Sequence, residues 1–280
     1  MNAEKREIGS IKSDWPLITV ITVAFNEVKV IEKTILSVLC QTYENLEYII
    51  VDGGSTDGTV DVIRRHEDDI DYYVTEKDNG IYYAMNKGIA VSKGEYINFL
   101  NAGDAFCTKE VIVQVFEKMR DECEDADIIY GDLKYADGHI FKPLSFDLFW
   151  KVMPVAHPTM FVKRGLLEQH KFNVSYKIAA DYDFLARCYV EKRKFYYSGV
   201  VIAAFLGGGI SSSLSARLLF ENWWIARKVS NRYSVNRYHI DYIFNFFFPG
   251  LRKKIDNVWV FVQLRKLLRF VVSRLFSSGE

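Results

Sequence analysis

The chain has 280 residues, no net charge and an apolar fraction of 49%, including 20 Phe and 17 Tyr. That size and content suit one large domain, or one domain with an appendage, built on a sizeable core. Its four cysteines (Cys40, Cys107, Cys123, Cys188) lack paired spacing, which excludes a disulfide framework and points to a reduced compartment.

Leu17 to Phe25 (LITVITVAF) is a near-continuous apolar run rich in Ile, Val and Thr, which predicts a strand buried on both faces. Asn26-Glu27 ends it. Apolar residues at Val28, Ile31, Ile35, Val38 and Leu39 then mark one stripe of a helix reaching Cys40. A second strand begins near Tyr48 and closes on Asp52-Gly53-Gly54-Ser55-Thr56-Asp57-Gly58-Thr59, and Val60 to Arg65 reads helical. Ile70 to Thr75 is a third strand, Ile81 to Ala90 a third helix, and Glu95 to Leu100 a fourth strand closing on Asn101-Ala102-Gly103-Asp104. This alternation predicts parallel β-α units with right-handed crossovers.

Beyond Asp104 the rhythm changes. Lys109 to Met119 reads helical, Asp127 to Tyr130 as a strand, and Leu133 to Phe141 folds back around Asp137-Gly138 as a hairpin. Phe146 to Val155 is aromatic and irregular. His157 to Val162 reads as a strand, Ala179 to Val190 as a helix headed by acids, and Phe195 to Phe205 as a strand running into Leu206-Gly207-Gly208-Gly209.

Two acidic turns sit at the ends of apolar strands, the edge where open α/β sheets bind ligands. Asp52 and Asp57 offer acceptors to a base edge or ribose, although such turns also serve as solvated connections. There is no Lys for a Walker loop and no G-x-G-x-x-G spacing, so charge for a phosphate has to come from elsewhere, most simply a metal. Asp104 suits a hard divalent cation that keeps sites for water and phosphate. Asp181 and Asp183 lie two apart on one helix and face different ways; one suits a general base and the other a cap. The N-terminal helix dipole favours ionised Asp181 and predicts a low pKa for it. His157 suits proton transfer, phosphate, metal or simple packing.

In this order, ITVAFNE, DGGSTDGT, DNGIYYAMNKGI, FLNAGD, HPTMFVKR and IAADYDF resemble the family 2 glycosyltransferases, bacterial enzymes of surface polysaccharide and lipopolysaccharide O-antigen synthesis. The match runs from about Leu17 to Ser211. The resemblance implies a GT-A fold, an α/β Rossmann-like, mostly parallel sheet with helices on both faces; a helical C-terminal tail lies outside the match. It divides the chain into a polar extension (1–16), a catalytic domain (17–212, with nucleotide-binding and acceptor halves meeting at 104/105) and the tail (213–280). It implies inverting transfer of a sugar from a nucleoside diphosphate sugar to an acceptor hydroxyl. Asp181 would be the catalytic base and Asp104 the ligand of Mn²⁺ or Mg²⁺. Ala24, Asn26, Glu27, Asp52, Asp57, Asn86, Lys87, Asn101 and Ala102 would bind the donor, and His157 and Asp183 would line the acceptor pocket. The chain departs from the family pattern at Asn101-Ala102-Gly103-Asp104, where many relatives carry D-x-D-D, at Tyr83, where relatives often have Asp, and at Ala180, where they have Glu.

From Leu214 to Glu280 there are 12 Lys/Arg against four Asp/Glu, a net of +8, balanced by −8 before it. Val260, Phe261, Leu264, Leu267, Leu268, Val271 and Leu275 form an apolar stripe with Arg265, Lys266, Arg269 and Arg274 mostly opposite. Such a helix lies on an anionic membrane, or packs on the body or a second copy in a homodimer. The first fifteen residues are polar, with no leader, and the longest uncharged run of the tail, Tyr242 to Leu251, is shorter than the about 20 residues of a membrane span. The expected location is therefore cytoplasmic, peripheral at the inner face of the cell membrane. The expected acceptor is a lipid-linked glycan, and nucleic acid is not an expected partner. Two rivals remain: a nucleotidyltransferase, which needs a glycine- and basic-rich loop that Val23 to Glu27 does not supply, and a non-catalytic nucleotide-sugar module, against which Asp181 stands.

Overall fold

The computed structural model describes residues 15–123, 125–205, 215–230 and 232–247. The apolar run forms β1 (Ile18–Ala24), buried along its whole length because helices cover both faces of the sheet. Ile18 and Val20 share a core cluster with Ile31, Ile35 and Val38 of α1 (Ile31–Leu39). Ile21 and Val23 share another with Tyr82, Ala84 and Met85 of α3 (Ile81–Val91). The two-residue period of a strand sends neighbours to opposite layers, so a strand covered twice reads as continuous hydrophobicity.

β2 (Leu46–Asp52) and β4 (Tyr96–Phe99) flank β1 in parallel, and β3 (Tyr72–Thr75) joins β2 in parallel. The α2 helix (Thr59–Arg64) follows the acidic turn. The predicted β-α alternation is therefore present, and its strand ends share one edge. Past β4 the direction reverses. β8 (Met160–Lys163) pairs antiparallel with β4 and with β6 (Ile128–Tyr135), and β9 (Phe195–Phe205) then runs parallel to β6 and antiparallel to β5 (Asp104–Phe106). The order is β3-β2-β1-β4-β8-β6-β9-β5, with β7 (Ile140–Phe141) hairpinned onto β6. Gly138 takes the positive φ of that hairpin turn, and Asp137 Oδ1 accepts the His139 N–H at 2.9 Å.

The structure differs from the sequence reading in three places. His157–Thr159 is a 3-10 turn rather than strand, because Pro158 has no N–H to give a ladder. A seven-residue helix, α5 (Arg164–His170), follows β8; it is too short to show a period. The region assigned to a tail begins with α7 (Ala216–Val229), whose Ile225 enters the core beneath α6 (Ala180–Val190). α7 in turn packs on α8 (Arg232–Phe247) through Leu219, Trp223, Val235 and Ile243. α4 (Val111–Glu122) covers the first core cluster. The polar extension to residue 14, the triple glycine and the basic amphipathic stripe after residue 247 lie outside the described residues. Among the described residues, no helix is long and apolar enough to cross a membrane.

A Cβ on Gly131 of β6 would stand 2.4 Å from Val200 O of β9, a backbone atom with no rotamer to escape by. Gly131→Ala should cost about 1–3 kcal/mol as an overpacked contact. It should appear as a lower urea midpoint at unchanged slope, and a wild-type midpoint would show that β6 and β9 can separate freely.

Candidate active site

The loops after β1 and β2 are stitched together by polar groups. Asn26, at φ 55°, gives its N–H to Ser55 Oγ at 2.7 Å and accepts the Thr56 N–H on Oδ1 at 2.9 Å. The Glu27 N–H reaches Thr59 Oγ1 at 2.8 Å. Asp57 takes the Val28 N–H on Oδ2 at 3.1 Å, and the Thr59 hydroxyl and N–H on Oδ1 at 2.6 and 3.0 Å. The Thr59 hydroxyl first, and then these N–H groups, hold the Asp57 carboxyl below its usual range; burial, then Asp57, raises that of Glu27.

Asp52 has no exposed surface. Its Oδ2 accepts from Gly54 N, Ser55 N and Thr75 Oγ1 at 3.0, 2.9 and 2.5 Å, and its Oδ1 from Ser55 Oγ at 2.5 Å. The expected donor ligand thus acts as the organiser of its own turn. Phe25, expected as the last residue of the buried first strand, instead stands 61% exposed beside this turn, with a Cβ on Gly53 only 3.3 Å from its ring. An apolar side chain left in water at a strand's C-terminal edge was the available signal.

At the end of β4, the Ala102 N–H bonds Val23 O at 3.0 Å and the Thr22 hydroxyl bonds Leu100 O at 2.8 Å. Thr34 of α1 accepts the Gly103 N–H at 3.1 Å and donates to Asp104 O at 2.7 Å. Within this turn Asn101 Oδ1 and Asp104 Oδ1 are both buried without a hydrogen-bond partner, and burial pushes the Asp104 carboxyl up to about 7. Two buried oxygens lacking donors suit a hard cation, which takes oxygen ligands. Among the described residues no group of three or more His, Cys, Asp or Glu converges to hold such an ion. Asn86 bonds both the N–H and C=O of Phe172 at 2.9 Å, and Lys87 lies 2.5 Å from Asp78 and 2.6 Å from Glu76, which hold its pKa up.

Asp181 stands in the first turn of α6. The Tyr82 hydroxyl of α3 lies 2.6 Å from Ile178 O and 3.3 Å from Asp181 Oδ1, which also accepts the Tyr182 N–H at 2.9 Å. His157 Nδ1 is 3.8 Å from Asp181 Oδ2. The imidazole is only 14% exposed, lies against Phe99 and Phe172 at centroid distances of 5.7 and 6.4 Å, and has no hydrogen-bond partner on either nitrogen. Burial lowers its pKa against the pull of Asp181. Burial also raises that of Asp181, overcoming His157 and the hydrogen bonds. The low value expected from the helix dipole is therefore corrected: desolvation outweighs it. Phe99, two residues before Asn101, connects this pair to the turn after β4. Asp183 points elsewhere, 1% exposed, bonded to Arg187 at 3.1 Å and to Lys228 of α7, as the helical spacing predicted.

The family model described as Glycosyl transferase family 2 matches residues 19–178. A PGL/p-HBAD biosynthesis glycosyltransferase of Mycobacterium bovis is 28% identical over 207 residues, 71% of this chain and 80% of the relative. An uncharacterized glycosyltransferase of Mycobacterium tuberculosis is 30% identical over 179 residues, 61% of this chain and 68% of the relative. Among solved structures, S. aureus TarS 1-349 in complex with UDP-GlcNAc has a TM-score of 0.63 at 18% identity, covering 86% of this chain and 76% of that one. The mannosyltransferase PcManGT from Pyrobaculum calidifontis, in complex with GDP-Man and Mn²⁺, has a TM-score of 0.57 at 17% identity, covering 96% and 89%. These structures share the GT-A arrangement of curled, mostly parallel sheet and flanking helices.

The Asp181 shift carries a sign for stability. Its folded pKa is raised, so between the ordinary carboxylate value and that raised value only the folded state holds the proton. Stability therefore falls as pH rises through this window. Asp181→Asn keeps an Oδ1 acceptor but no titration, so its melting temperature minus that of the wild type should grow as pH rises above the ordinary carboxylate value of about 4. A difference independent of pH would place Asp181 in water.

Proposed function

The chain belongs to glycosyl transferase family 2 and is a glycosyltransferase, and from that premise we propose a metal-assisted, inverting transfer from a nucleoside diphosphate sugar to an acceptor hydroxyl. The observation that carries the reading is Asp181: a largely buried carboxylate, hydrogen-bonded on Oδ1 and facing an imidazole on Oδ2, at the head of a helix.

The donor lies across the C-terminal edge of β1, β2 and β4. Phe25 offers a face for the base, while Asn26, Glu27 and Asp57 surround base and ribose, with Ala24 and Ala102 forming the floor. Asp52 acts one step back, setting the turn that presents Asp57. UDP and GDP are the donor nucleotides to test first, because the neighbouring structures carry UDP-GlcNAc and GDP-Man. Asp104, with Asn101 beside it, would hold Mn²⁺ or Mg²⁺, whose charge stabilises the departing diphosphate.

Asp181 works on the acceptor. Its Oδ1 is already engaged by Tyr82 and the Tyr182 N–H, so Oδ2 is the atom that takes the proton of the acceptor hydroxyl. As the acceptor oxygen bonds to the anomeric carbon, the bond from that carbon to the diphosphate oxygen breaks and the electron pair leaves with the diphosphate. A single displacement inverts the anomeric centre. His157, kept neutral by burial, lines the acceptor side, and Asp183 braces α6 through Arg187 and Lys228. The excess of Lys and Arg after residue 213 supports a station at an anionic membrane face and a lipid-linked acceptor in surface polysaccharide or O-antigen synthesis.

The test is transfer, or hydrolysis, of UDP-GlcNAc and GDP-mannose with Mn²⁺. Asp181→Asn should lower turnover by about 10²–10⁴ with donor affinity by calorimetry unchanged; a product that keeps the donor's anomeric configuration would refute the single displacement.

Chelation offers a separate check. Excess EDTA should abolish turnover, Mn²⁺ should restore it, and Asp104→Asn should stay inactive after Mn²⁺ is added. Full activity in EDTA would sink the catalytic metal.

A further inference from the structure

The entry to the helix that carries Asp181 is held from outside. Ala179 stands at the N-cap with no side-chain hydrogen bond, although a helix start leaves N–H groups needing partners and Ala179 is buried away from water. The Ala179 N–H and the two amides before it find their partner on α7. Glu221 Oε2 accepts the Ile178 and Ala179 N–H groups at 3.0 Å each, and Oε1 accepts the Lys177 N–H at 3.0 Å and Arg217 Nε at 2.9 Å. Three successive amides converge on one carboxylate that is 9% exposed.

The direction of these bonds matters more than their number. The peptide group joining Ile178 to Ala179 is trans, so its N–H and C=O point opposite ways. The N–H goes to Glu221. The C=O accepts the Tyr82 hydroxyl at 2.6 Å, and that hydroxyl also stands 3.3 Å from Asp181 Oδ1. Glu221 and Tyr82 therefore hold one peptide plane from its two edges, and its tilt decides how far the single hydroxyl proton of Tyr82 is shared with Asp181. On the next turns of α7, Lys228 holds Asp183, so the same helix also braces α6 on the face away from Asp181.

We propose that Glu221 is a positioning residue for Asp181, fixing the Ile178–Ala179 peptide and, through Tyr82, the carboxylate that meets the acceptor. The inference rests on the role of Asp181 as base. Without Glu221 the peptide is free to turn, the hydroxyl follows its carbonyl, and the base loses its setting while the donor edge of the sheet is untouched.

The experiment measures release of UDP from UDP-GlcNAc and of GDP from GDP-mannose, with Mn²⁺, for the wild type, Glu221→Ala, Glu221→Gln, Tyr82→Phe and the Glu221→Ala/Tyr82→Phe double variant. Glu221→Ala should lower kcat by up to about 10²-fold, the cost of a misplaced catalytic group, at an unchanged donor KM. Glu221→Gln should recover part of that, because its amide oxygen still accepts from Ile178 and Ala179. In the Tyr82→Phe background Glu221→Ala should add little, since both act along one path. Multiplicative losses, or a fall in melting temperature and a rise in KM with kcat unchanged, would overturn the positioning role and leave a fold brace. Should Glu221→Ala fail to fold, the comparison of Glu221→Gln with Tyr82→Phe decides. An Asp181→Asn chain as active as the wild type would separately overturn the base assignment, and with it the target of the positioning.

Discussion

The parallel pairing of β1 with β2 on one side and β4 on the other is the constraint from which the site follows. Ala24 lies opposite Asp52, and Ile21 opposite Phe99, so three chain exits open at one edge. Each exit carries a polar turn, and the turns are fastened to one another rather than to the strands alone: Asn26 to Thr56, Asp57 to Val28, Ala102 to Val23. Burial on both faces is what permits this. A one-residue slip of β1 would exchange the side chains that pack with α1 for those that pack with α3, so the exits stay in register.

Antiparallel β8 adds a different kind of position. Because it runs against β4, its beginning, not its end, lies at the edge where β1, β2 and β4 finish, and Pro158 keeps the preceding turn out of the ladder. His157 reaches Asp181 by that route. The second half of the molecule thus contributes its chemistry through the starts of elements, His157 before β8 and Asp181 at the head of α6, while the first half contributes through the ends of strands.

The sequence displayed the strand-helix alternation because buried parallel strands leave long apolar, β-branched runs. It displayed the opposed directions of Asp181 and Asp183 because helix geometry fixes them. It hid what depends on partners distant in the chain. Nothing near Asp52 tells that Thr75 will close its last acceptor site. No local pattern tells that burial will defeat the helix dipole at Asp181. The charge excess after Leu214 looked like one tail, yet α7 at its start is packed beneath α6, since a net charge says nothing about which residues of a stretch are turned inward.

The cradle of Lys177, Ile178 and Ala179 on Glu221 straddles the end of the segment shared with the family, which closes at residue 178. Modular exchange between relatives tends to be designed at such ends. Here a splice at that point would join the matched segment to a foreign α6 across a single peptide whose two edges are held by different parts of the chain, α7 through Glu221 and α3 through Tyr82. The matched segment and the helices that follow it are contiguous in sequence but interlocked at residues 177–179, so the natural unit of transplantation runs on through α7.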